Sequence, residues 1–314
     1  MASWIWLTCL LSLAAFLFLA ISGSRTPKSI TSRVAALFFA VAALISMAVF
    51  VSTIPSPGTA ETYLFSFVGM NAHLGFRVSF ATVISIISVY FTATVLTNRV
   101  MRRRHLFTDK QIHTFCTQLA WWTFGLSFLV MSPTLSQAWL GSLICTLGVI
   151  WFLLFDARNI LSSGQTRTLS LLVIVAFLAQ TLPTWLAWHV YHTVQLTLIR
   201  HEHKIGRVAH GAAWVLWLWL AGLLIQWGTL YTIRGMTRDK MSRTACLWLS
   251  FALYTASGFY LWAAWPVVVT AHWMTVVVIA LAIGISLSLL PLLFGMIRER
   301  RVEKSEKRPE SMHR

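Results

Sequence analysis

Nine apolar segments divide this 314-residue chain, and none of its nine aspartates and glutamates lies inside one of them. Glu61, Asp109, Asp156, Glu202 and Asp239 fall in connections, and the other four fall in the last sixteen residues. The segments occupy residues 4–21, 34–54, 78–97, 115–131, 135–155, 168–188, 212–233, 244–265 and 274–296. A bilayer core of about 30 Å takes about 20 apolar helical residues, so each segment has the length of one crossing. Lipid offers no partner to an open backbone, which predicts a helix for every segment. The fold class expected is therefore all-α: a polytopic integral membrane helix bundle of nine spans over residues 1–297, followed by a charged tail at 298–314.

Composition excludes the alternative of a water-soluble globule, because 57% of residues are hydrophobic, 11% are charged and the mean hydropathy is +0.72. The first segment has no basic residue before Trp4 and no small-x-small cleavage site that ends it cleanly, so it reads as a retained span and not as a cleaved signal peptide.

Charge sets the expected orientation. With the N-terminus outside, 21 of the 25 lysines and arginines lie on the inner side, leaving Arg77, Arg200, Lys204 and Arg207 outside. That asymmetry predicts an outer N-terminus, a cytoplasmic C-terminus and a bacterial-type inner membrane. It also accounts for the net charge of +16 without nucleic acid, and the basic inner face suits anionic lipid or an acidic soluble partner.

The same patterning narrows the chemistry. Ion-moving proteins place ionised groups at mid-membrane depth despite a cost of roughly 2.5–3.5 kcal/mol each, and these segments hold no carboxylate. No GxSxG, HExxH, Walker A or GxGxxG pattern occurs, so no catalytic activity of its own is expected. Cys9, Cys116, Cys145 and Cys246 lie in spans without CxxC spacing and read as small buried hydrophobes. Tryptophans such as Trp185, Trp188 and Trp265 gather towards span ends, where their rings suit the headgroup boundary.

Histidine is the residue type that could carry chemistry. His189 and His192, three apart at a span end, share a helix face, and His201 and His203 follow in the same outward stretch. The first two could share zinc, copper or haem iron, with His201 and His203 completing the site if the loop folds back, but the plainer reading is a wet periplasmic loop of titratable side chains. Within the spans the remaining polar groups are weak: Gln137, Gln180 and Gln226, with many serines and threonines. Prolines at 133, 183, 266 and 291 can kink helices or mark discontinuous ones.

Four stretches carry a resemblance. Leu74-Gly-Phe leads into a serine-rich span and a basic turn; residues 135–155 run Leu-Ser-Gln-Ala-Trp-Leu-Gly-Ser-Leu-Ile-Cys-Thr-Leu-Gly-Val-Ile-Trp-Phe-Leu-Leu-Phe; and Ala221-Gly-Leu-Leu-Ile-Gln and Thr255-Ala-Ser-Gly-Phe-Tyr-Leu follow. This order resembles helices three to five, seven and eight of the antiporter-like membrane subunits of NADH:quinone oxidoreductase, Mrp antiporters and dissolved-inorganic-carbon transporters. The resemblance implies a proton path of a fifth-helix glutamate, a seventh-helix lysine and an eighth-helix histidine. Here those positions carry Leu143, with Ser142 before it, then Gln226 and Ser250. The family's scaffold is implied without its ionisable groups.

The expected function is that of a non-conducting antiporter-like membrane subunit. It would scaffold or anchor an ion-motive or inorganic-carbon-uptake complex, with other membrane subunits and a large soluble cytoplasmic subunit as partners. Two alternatives stand beside it: a solute or ion transporter acting through Gln180 and Gln226, and a metal or haem protein built on the histidines.

Overall fold

The computed structural model describes residues 2–23, 26–53, 60–67, 72–156 and 162–191, positions 195 and 198, and most of 218–233 and 244–252. The chain enters through a 3-10 turn at Ala2–Ile5 and continues as α1 (Trp6–Ser22), α2 (Lys28–Thr53), β1 (Ala60–Phe67), β2 (Ala72–Val78) and α3 (Phe80–Arg102). A 3-10 turn at Arg104–Leu106 leads to α4 (Asp109–Val130) and α5 (Leu135–Trp151). The end of α5 widens into a π-helical turn at Phe152–Asp156, and α6 spans Ser163–Tyr191, running unbroken through Pro183. The described positions in 218–233 and 244–252 are helical; residues 274–296 and the tail lie outside the described residues.

The fold is predominantly helical, and among the described residues four stretches are long and apolar enough to cross a membrane: Lys28–Ser52, Thr82–Arg102, Leu135–Leu154 and Ser163–Leu186. Helix α1 is apolar but shorter. The helices overrun the apolar segments in a consistent way. Helix α2 starts six residues before the segment at 34, α3 ends five after 97, α4 starts six before 115, and α6 starts five before 168. Polar residues continue the helix at each of these ends. Thr108 and Gln111 form a reciprocal capping box at the start of α4. Arg99 and Arg102 fill the last turn of α3, where cations oppose the negative end of the helix dipole. These ends meet in space, because the Lys28 ammonium donates to the Phe107 carbonyl at 3.3 Å and pairs with Asp109 at 3.5 Å.

Helix α4 is the centre of the bundle. It packs on α1, α2, α3 and α5, and fourteen of its residues are buried, from Ile112 to Val130. Its close neighbour is α5, and glycine makes the approach. A Cβ on Gly141 would stand 2.6 Å from the Leu129 nitrogen, and one on Gly125 would stand 2.8 Å from Cys145 Sγ. Small residues at such crossings let backbones touch, which is the favoured packing where lipid removes the hydrophobic drive between helices. The Trp121 indole adds a bond to the Ile144 carbonyl at 2.7 Å.

A single hydroxyl joins three helices on the other side of α4. Tyr90 of α3 is fully buried and donates to the Thr8 carbonyl of α1 at 2.7 Å, while Ser127 of α4 donates to it at 2.8 Å. Ser12 of α1 shares the same oxygen. Farther along, the Trp248 indole reaches Thr92 of α3 at 2.9 Å and ties 244–252 to the bundle.

The connection after α2 departs from an all-α architecture. Strands β1 and β2 form an antiparallel hairpin, Ala60 opposite Val78 and Phe67 opposite Ala72, with a register shift between Tyr63 and Phe65. The sequence reading predicted helices alone, because hydropathy assigns no backbone conformation to a connection between two apolar segments, and most of both strands lies in such a connection. The hairpin docks through Gln137 at the start of α5, whose amide accepts from the Gly75 N–H and donates to the Gly75 carbonyl, both at 2.9 Å. That side chain acts as a short extra strand against β2. The Arg77 N–H adds a bond to the Met131 carbonyl at 2.8 Å, and Thr134 bridges to Gln195.

Candidate functional site: a neutral hydrogen-bond chain

A second set of buried polar groups comes together around α5. Ser142 and Thr146 are one turn apart and therefore share a face, and α5 is placed at its start by Thr134, whose hydroxyl accepts from the Gln137 N–H at 3.2 Å. Ser142 donates to the side-chain oxygen Oε1 of Gln180 in α6. The Gln180 amide donates to Gln226 Oε1 at 3.1 Å, and the Gln226 amide donates to Thr146 Oγ1 at 3.0 Å. The chain of bonds leaves α5, crosses two helical elements and returns to α5 one turn on.

Gly222 explains how Gln226 reaches this position. A Cβ there would stand 2.6 Å from Gln180 Cγ and 3.0 Å from the Ala176 carbonyl, so 218–233 lies directly against α6. Gln226 follows one turn later on the same face. Farther out, the Trp139 indole donates to Thr181 at 2.8 Å and holds α5 to α6.

All four side chains are buried, Gln226 to 5% exposure and the others to 2% or less. Beside them is a cavity of about 10 Å³ lined by Cys145, Val149, Val173, Gln226, Leu230 and Leu249. That volume is about the space of one water centre, and a water needs two to four polar partners where, among the described residues, this lining supplies Gln226 and the weakly polar thiol of Cys145. Its expected state is dry. Amides and hydroxyls do not titrate near neutrality, so the chain can neither store a proton nor neutralise an ion.

The sequence-predicted site residues separate accordingly. Gln226 stands within the chain and Ser142 begins it; Leu143 is half-buried and contributes no polar atom, and Ser250 lies outside the described residues. Of the histidines, His189 sits in the last turn of α6, exposed, with its ring stacked on Trp185 at 5.5 Å and 6° between planes. His192, His201 and His203 lie outside the described residues. Among the described residues, no group of three or more histidines, cysteines or carboxylates is placed to hold a metal ion. Thr146 was the member that sequence reading missed. Its signal was the small-residue face of α5, where Gly141, Ser142, Cys145, Thr146 and Gly148 recur at helical spacing.

No protein-family model and no curated protein matches the chain. What stands on its own geometry is a class: a predominantly helical protein with, among the described residues, four helices of bilayer length and an uncharged hydrogen-bond chain between α5, α6 and 218–233.

Proposed function

We propose that this protein is a non-conducting membrane subunit that acts by helix packing and anchors a larger complex. The observation that carries the reading is the chain Ser142, Gln180, Gln226 and Thr146, which is joined by three side-chain hydrogen bonds and contains no ionisable group. Paths for protons or ions draw on charged groups, water or rings of carbonyl oxygens, whereas the cavity beside this junction holds about 10 Å³ and its described lining is mostly apolar.

The resemblance to antiporter-like subunits extends the proposal. Gln226 stands where that family carries its lysine, and Ser142 adjoins the glutamate position at Leu143, so the polar meeting between α5 and 218–233 takes a neutral form here. The complex served is then an ion-motive or inorganic-carbon-uptake assembly in a bacterial-type inner membrane. Nine spans, an outer N-terminus and a cytoplasmic C-terminus complete the proposed topology, with other membrane subunits and a large soluble cytoplasmic subunit as partners. The transporter reading is weaker, because Gln180 and Gln226 bond to each other and not to an open cavity.

The experiment is extraction from the native membrane in mild detergent, with mass spectrometry of whatever stays in stoichiometric amounts. A constant companion, above all a full-length antiporter-like subunit or a large soluble protein, is the expected result. A chain that purifies alone and moves protons or solute in liposomes overturns the proposal.

A further inference from the structure

We infer that the turn between α3 and α4 is a binding site for the headgroup of an anionic phospholipid. Arg102 ends α3, Arg103 caps it, and Arg104, His105 and Leu106 form the 3-10 turn that follows. Arg102, Arg104, His105 and Lys110 are all exposed, and the one carboxylate of the turn, Asp109, is already held 3.5 Å from Lys28. Two guanidinium groups two residues apart, on Cα atoms separated by about 7 Å or less, can address one phosphodiester from two sides.

Leu106 separates a lipid from a free anion. It is 63% exposed at the tip of the same turn, between His105 and the half-buried Phe107. An apolar side chain among cations has no role in binding inorganic phosphate, but it fits the boundary where headgroup meets acyl chain. The turn follows directly on a stretch of α3 long and apolar enough to span a bilayer, Thr82–Arg102, which puts it at that boundary. The inference rests on the membrane-spanning reading and is independent of the scaffold role. Lipid retention tests it, whereas companion proteins test the other.

The full chain is reconstituted in mixed phosphatidylglycerol and phosphatidylcholine, extracted in mild detergent, and its retained lipids are counted by native mass spectrometry. Wild type is expected to keep phosphatidylglycerol over phosphatidylcholine by about tenfold, and R102Q/R104Q to bring the ratio to within about twofold. L106S should lower retention of phosphatidylglycerol, and millimolar inorganic phosphate should not displace it. An unchanged ratio in R102Q/R104Q, or displacement by inorganic phosphate, overturns the inference. Should the double variant fail to fold, wild type decides the matter alone, since a preference that persists undiminished from about 0.05 to 0.5 M salt is not a headgroup contact of exposed arginines.

Discussion

The side-chain amides of Gln180 and Gln226, 46 residues apart, meet at 3.1 Å with each passing its remaining contact to α5. The pair is the hinge of the polar chain, and its energetics are testable. Removing one member leaves the other's amide buried without its partner, which costs more than the bond itself contributes. Gln226→Leu or Gln180→Leu should each lower stability by about 1–2 kcal/mol, and Gln180→Leu/Gln226→Leu together by less than the sum. Thermal unfolding in detergent measures this, and additive losses would show that the two amides act separately.

Gly141 and Gly164 form a matched pair of glycines with opposite surroundings. A Cβ on Gly141 meets the backbone of Leu129 at 2.6–2.7 Å, whereas one on Gly164 has nothing within 4 Å. Gly141→Ala must push α4 from α5 and should cost about 1–3 kcal/mol. Gly164→Ala should be neutral or stabilise by up to about 1 kcal/mol. Equal effects in a denaturation assay would contradict the close approach of α4 and α5.

Tyr90→Phe keeps the ring and removes the oxygen that Thr8, Ser12 and Ser127 share. The expected loss is about 1–2 kcal/mol, with Ser127→Ala costing less, because the tyrosine hydroxyl still has its bond to the Thr8 carbonyl. A double-mutant cycle with Ser127→Ala should show coupling, and none would be seen if the hydroxyls were independent.

Gln137→Leu should free the β-hairpin without unfolding the bundle. The substitution leaves the Gly75 N–H and carbonyl without the amide that meets them both at 2.9 Å. Hydrogen exchange is expected to rise across 72–78 and to stay unchanged within α4. Faster exchange throughout would mean that the hairpin holds the bundle together.

Among the described residues, helix existence was legible in the sequence because it depends on a local quantity, about twenty apolar residues in a row, for which lipid favours a helix. Segment ends were less legible. Hydropathy stops at the first cluster of charges, but a helix continues past it when a cap such as Thr108 or a cation such as Arg102 suits its terminus. The hairpin escaped for a different reason: much of what docks β2 comes from Gln137 and Met131, which are distant in sequence.

Sequence alone determined that the apolar segments hold no carboxylate and that cations crowd one set of connections, since both are counts along the chain. Tertiary structure decided which polar residues meet. Ser142, Thr146, Gln180 and Gln226 are unremarkable on their separate segments, and nothing in their spacing pairs Gln180 with Gln226. Gly222 does so, by letting 218–233 lie against Ala176 and Gln180 of α6, and a contact between two helix faces exists only once both helices are packed.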